Sequence, residues 1–110
     1  TIPGIVVESN GIDIATDAAA PVYSVFSGTV SSAFSFPGAG ETIIITHGGY
    51  RTVYSNLDRL EVVKGDNVER GTQIGIAWTG TKGTTVHFEV WKVAGSERSP
   101  QNPRSWLQPR

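Results

Sequence analysis

The chain contains no cysteine and no methionine. The absence of cysteine excludes a disulfide framework and any thiolate-held metal, and it is compatible with either redox compartment. No apolar run approaches the roughly 20 residues that span a bilayer as a helix. Charge of one sign is not in excess either: the formal balance is −1 over 110 residues. There is therefore no basic field to hold nucleic acid or an anionic lipid surface. Also missing is any stretch with the 3.6-residue apolar period of an amphipathic helix. The chain begins at Thr1 with neither an initiator Met nor a signal-peptide pattern, and it reads as the C-terminal part of a longer chain.

What is present is glycine-rich punctuation between short apolar runs, with 13 Gly and 6 Pro. Such spacing predicts an all-β domain, a compact antiparallel sandwich or barrel-like body, spanning residues 1–110 as one unit. Strands are expected at 4–9, 12–16, 21–26, 29–36, 41–47, 51–57, 60–63, 73–78 and 84–92, followed by a Pro-rich tail. The segment from Gly83 to Trp91, GTTVHFEVW, is the most informative. Alternate residues of a strand share a face, so Val86, Phe88 and Val90 form a core side while Thr85, His87, Glu89 and Trp91 oppose it.

The same parity argument applies to two other strands. In GIDIAT, Ile12 and Ile14 read as core and Asp13 points away, with Ser9 and Gly11 in phase with it. In VYSNL, Val53, Ser55 and Leu57 alternate with Tyr54 and Asn56. Three strands thus each place small polar residues among apolar ones, a pattern that a half-solvated sheet also produces. A catalytic zinc needs three protein ligands and an open position. His87 and Asp13 qualify, and the only other histidine is His47. With residues 48–51 as a hairpin loop, His47 pairs near Thr52 and Asn56 near Ile43. His47 then lies about 13 Å from the Asn56 level and is expected to be structural. Glu89 is expected to support the backbone of its strand. Trp78, Trp91 and Trp106 are expected in core or edge packing, and Arg51, Arg59, Lys64 and Arg70 as solvated loop charges.

The order and spacing of GIDIAT, IIITHGGYRTVYSNL, VKGDNVERGTQIG, TVHFEVW and NPRSWL resemble the LytM-type (lysostaphin-like, M23) zinc metallopeptidases of bacterial cell walls. The resemblance runs from about Gly11 to Leu107. It implies an all-β domain with an open groove, and it assigns roles by position. The ligand pair of the H-x-x-x-D motif falls on Ser9 and Asp13, so the histidine is replaced. The H-x-H pair falls on Thr85 and His87, which keeps the metal-binding histidine and loses the proton-transferring one. The histidine of the Y-x-H-L motif is Asn56. Neither Thr85 nor Asn56 can cycle a proton near neutral pH.

The resemblance therefore implies a pseudoenzyme of the EnvC- and NlpD-like subgroup. No catalytic residue is expected, zinc is expected to be absent or weakly held, and Asp13 with His87 would be vestigial. The expected partner is an N-acetylmuramoyl-L-alanine amidase or another cell-wall hydrolase, bound through Ser9, Asp13, Tyr54, Asn56, Thr85 and His87. The implied location is periplasmic or otherwise extracytoplasmic. A passive peptidoglycan- or peptide-binding module and an active zinc endopeptidase are the alternatives. The VKGDNVERGTQIG stretch also resembles lipoyl and biotinyl carrier domains, but no Lys lies at a Met-flanked hairpin tip.

Overall fold

Runs of Val, Ile, Thr and aromatic residues broken by Gly turns favour extended backbone, and the structure is built almost wholly of strands. This computed structural model describes residues 11–36, 40–80, 83–94 and 97–102. Among the described residues there are ten strands: β1 (Gly11–Ala15), β2 (Pro21–Tyr23), β3 (Gly28–Phe36), β4 (Gly40–His47), β5 (Tyr50–Leu60), β6 (Asn67–Val68), β7 (Gln73–Ala77), β8 (Thr79–Gly80), β9 (Gly83–Ala94) and β10 (Glu97–Gln101). All pairings are antiparallel, and the main order is β1-β9-β5-β4-β3-β6. The all-β expectation holds. The strand expected at 4–9 lies outside the described residues, as does Ser9.

β5 is the organising strand. Its first half lies between β4 and β9, and its second half turns to pair with β7, which carries β2. The switch falls at Asn56, whose φ of +67° puts it in the left-handed region. Asn tolerates that conformation better than most residues. The register shift on the β4 ladder coincides with it, and a second shift, on the β7 ladder, follows between Leu57 and Arg59. Leu60, expected to open a separate strand at 60–63, therefore ends β5 instead.

Behind this sheet Val30, Ile43, Ile45, Tyr54, Leu57, Val68, Ile74, Ala77, Val86, Phe88 and Val90 form one buried cluster. The odd–even reading of β9 is upheld, since Val86, Phe88 and Val90 are all core. The hairpin between β4 and β5 turns on Gly48 and Gly49 alone, not on a four-residue loop. His47 accordingly pairs with Tyr50 rather than Thr52, and Ile43 with Tyr54 rather than Asn56. β10 was not foreseen: Glu97–Gln101 pairs with the end of β9 despite containing Pro100. As an edge strand it can hold a proline without losing a ladder bond on its open side.

Candidate functional site

The opposite, outer face of the sheet carries the polar residues. In antiparallel ladders, directly paired residues point to the same side. Asp13 pairs with His87, and His87 pairs with Ser55, so these three form one row across β1, β9 and β5. The next row is Gly11, Glu89 and Val53. Gly11 has no room for a side chain, because a Cβ there would lie 2.5 Å from the Phe88 carbonyl oxygen and 2.9 Å from His87 Nε2. Glycine thus allows β1 to approach β9 closely enough for Asp13 to reach the histidine.

His87 sits between two carboxylates. Its Nδ1 lies 2.9 Å from Asp13 Oδ1, and its Nε2 lies 2.7 Å from Glu89 Oε2. The other oxygen of Glu89 accepts from Trp91 Nε1 at 2.7 Å. Ionised carboxylates only accept, so both ring bonds are complete when both nitrogens carry protons. Partial burial works against the imidazolium. The hydrogen bonds and charges of Asp13 and Glu89 outweigh it, and the pKa is held above the ordinary histidine value. The Asp13 side chain is 70% exposed, whereas those of His87 and Glu89 are 25% and 23% exposed. The row is open to solvent on the Asp13 side.

Asn56 and Thr85 meet at one end of this face. The Asn56 side-chain amide donates from Nδ2 to the Thr85 carbonyl at 2.6 Å, and the Asn56 carbonyl accepts from Trp78 N at 3.1 Å. Asn56 therefore staples the bulge of β5 to β9. The Thr85 side chain is exposed on the same face as His87, while Thr84 is buried with its hydroxyl 2.8 Å from that of Thr79.

Tyr54 requires a correction: it does not line this face. It is 2% exposed in the core, with its ring centroid 5.4 Å from that of Phe88. Its hydroxyl accepts from Val25 N at 3.1 Å and bonds the Thr52 hydroxyl at 3.0 Å. Burial raises its pKa, despite those hydrogen bonds. The bulge at Asn56 breaks the parity that would have put Tyr54 and Asn56 on one side, and Ser55 takes the position opposite His87.

His47 lies on the core side with Tyr54, so it cannot join His87. Its Nδ1 donates to the Ser27 carbonyl at 2.7 Å and its Nε2 meets the Thr52 hydroxyl at 2.8 Å. Burial lowers its pKa, against the raising effect of the Ser27 bond. Glu89 differs from expectation, since its bonds go to side chains rather than to a backbone group. Its two-residue spacing from His87 was the available signal. Arg51 lies within β5 rather than in a loop, and Trp78 is 42% exposed rather than packed away. Trp106 lies outside the described residues.

The donor set can be tested against a metal. Asp13 and His87 are bonded directly to each other, and among the described residues no three His, Cys, Asp or Glu side chains are grouped to hold a metal ion. Asp13 and Glu89 occupy opposite ring nitrogens of His87 and do not converge on one point, so the set falls short of the three protein ligands of a catalytic zinc centre.

A bulged antiparallel sheet with a core on one face and an Asp–His–Glu row on the other defines the architectural class. The peptidase family M23 model matches residues 7–103, and the chain belongs to that family. It is 41% identical over 92 residues to peptidoglycan DD-endopeptidase ShyB of Vibrio cholerae, a match that takes in 81% of this chain and 22% of the relative. With peptidoglycan DD-endopeptidase ShyA of the same organism it shares 38% identity over 84 residues, 74% of this chain and 20% of that protein. The chain thus spans about a fifth of the length of the curated relatives it matches. Among solved structures, a zinc-containing peptidase from Vibrio cholerae superposes with a TM-score of 0.73 at 37% identity, over 90% of this chain and 31% of the other. A chain of the SpoIIQ–SpoIIIAH pore-forming complex superposes with a TM-score of 0.79 at 31% identity, over 90% of this chain and 65% of its own.

Proposed function

We propose that this is a non-catalytic M23 domain that binds a cell-wall amidase, or a related wall hydrolase, outside the cytoplasm and raises its activity on peptidoglycan. The observation that carries this reading is the Asn56–Thr85 staple. The two positions that the family resemblance assigns to proton-transferring histidines hold residues that cannot transfer protons near neutral pH. One of them spends its amide on a structural bond to the other's carbonyl. Zinc plays no part in this role, and Asp13 and His87 act as polar groups of a binding face together with Asn56 and Thr85. That a similar fold occurs in the SpoIIQ–SpoIIIAH pore-forming complex supports a domain that works by assembling with another protein.

The names of the curated relatives favour a second reading, that of a peptidoglycan endopeptidase. One pair of assays separates the two. The chain is incubated with peptidoglycan sacculi in the presence of zinc, alone and then with an amidase from the same cell. The activator reading expects no muropeptide release by the chain alone and a several-fold rise in amidase turnover. Release by the chain alone, with zinc bound at one equivalent, would replace it with the endopeptidase. An unchanged amidase rate together with binding to sacculi would favour a passive wall-binding module.

A further inference from the structure

The outer face continues beyond the Asp13–His87–Glu89 row. β1 and β10 lie end to end along one edge of β9, with β5 on the other edge. Trp91 pairs with Arg51 on β5 and Pro100 on β10, and Val93 pairs with Arg98. Ile44 pairs with Val53 in the row that contains Glu89. Ile44, Val53, Trp91 and Val93 are all partly exposed, and none of them packs against the core cluster. They form an apolar band on the outer side of the sheet.

The band has an acidic end and a basic end. Asp13 and Glu89 keep the first end net negative whether or not His87 is protonated. Arg51 and Arg98 form the second, and neither makes an ion pair among the described residues. Glu89 stands diagonally from Arg51 but turns both oxygens to His87 and Trp91. Glu97 and Lys92 fall on the other side of the sheet by register. Measured along β9, the Asp13 level and the Arg51 level are four residues apart, about 13 Å at roughly 3.3 Å per residue, with Asp13 on the β1 side of β9 and Arg51 on the β5 side.

We infer that this face docks an extended peptide segment of a partner protein, laid along β9, with a basic side chain at one end and an acidic one four residues away. The spacing selects the conformation. In an extended chain, residues i, i+2 and i+4 share a face over the same distance of about 13 Å. A basic–apolar–acidic triplet at those positions then meets Asp13, Val53 on the intermediate level, and Arg51 beside Trp91 in turn. Alternate side chains supply selectivity in such strand-like recognition. The inference rests on the reading of the domain as a binding module and specifies the chemistry of its guest.

The test uses three capped, fluorescently labelled nonapeptides that differ only in their central five residues: Lys-Thr-Leu-Thr-Glu, Lys-Thr-Leu-Thr-Lys and Glu-Thr-Leu-Thr-Glu. Binding to the 110-residue chain is read by anisotropy at low salt. The mixed peptide should bind about tenfold tighter than either uniform one, as two partly exposed ion pairs allow. Arg51→Glu should move the doubly basic peptide to first place. Arg98→Glu, at an exposed edge, should shift the ranking the same way, so a misfolded Arg51 variant does not remove the test. Equal affinities, no binding, or an unchanged ranking in Arg98→Glu would overturn the inference. A self-association by sedimentation that Arg98→Glu abolishes, without any peptide preference, would assign the face to a second copy and also overturn it. Correct peptide ranking with no effect of the chain on amidase turnover would retain this docking face and remove the activator role.

Discussion

The Asn56 amide lies 2.6 Å from the Thr85 carbonyl, bridging β5 and β9 at the point where β5 changes partners. That contact joins the fold's main irregularity to Thr85, two residues before His87 on the same strand. It makes Asn56 structural in two ways, through its left-handed backbone and through its side chain.

Substitutions at Asn56 should separate these contributions. Asn56→Gly keeps the backbone conformation and loses the staple, at a cost of about 1 kcal/mol. Asn56→Ala loses the staple and, unlike glycine, keeps a Cβ at positive φ without the local polar bonding that eases asparagine into that region, adding about 1–2 kcal/mol. Urea unfolding should rank the proteins Asn above Gly above Ala. An alanine variant as stable as the glycine one would mean that the bulge relaxes.

Tyr54 gives a contrasting result. Tyr54→Phe removes the acceptor for Val25 N and should destabilise the domain by about 1–3 kcal/mol, the cost of an unsatisfied buried group. Binding of a partner or of the peptides above should be unaffected once the protein is folded. A charged replacement such as Tyr54→Glu should prevent folding at 25 °C, visible as loss of the near-UV circular dichroism signal.

Gly11→Ala tests the approach of β1 to β9. The new Cβ would fall 2.5 Å from the Phe88 carbonyl oxygen and 2.6 Å from Glu89 Cγ. β1 must move outward, at about 1–3 kcal/mol. The displacement draws Asp13 away from His87, so the His87 pKa should fall toward the ordinary value. An NMR titration of the variant reads that shift directly.

The two histidines should titrate on opposite sides of about 6.5, His87 above and His47 below. His87 has a raised folded-state pKa, so its stabilisation is fully present below the unfolded value and is lost as pH rises through the folded one. His47 has a lowered folded-state pKa, so its contribution is present above the unfolded value and is lost as pH falls through the folded one. NMR titration of the ring protons gives both pKa values. The stability difference between wild type and His87→Gln should shrink on the alkaline side and persist on the acid side.

Chelation supplies the last prediction. A domain that works without zinc should keep its melting temperature and its effect on the amidase after EDTA treatment and desalting. A fall in either would reinstate a metal requirement.

Much of this was legible in the residues. The alternation in GTTVHFEVW separates Val86, Phe88 and Val90 from Thr85, His87 and Glu89 because extended backbone has a period of two. Asp13 and His87 could be singled out by parity and by family resemblance, and the structure brings them into direct contact. The misplacement of Tyr54 arose from one residue. A bulge inserts a single position and reverses every later side chain, and nothing in VYSNL marks where it occurs beyond the tolerance of Asn for positive φ. The hairpin register was displaced similarly, because Gly48-Gly49 can close a two-residue turn or form part of a longer loop.

By itself, the sequence determined the all-β class, the family, and that positions 56 and 85 hold an asparagine and a threonine. These depend on residue type and spacing, which are local properties. Tertiary structure decided that Glu89 completes the His87 row, that Ser55 stands where Tyr54 was expected, and that Arg51, Trp91 and Arg98 share the outer face. Those relations come from strand pairing between segments as far apart as Gly11 and Glu89, and a register shift of one residue is enough to exchange the two faces.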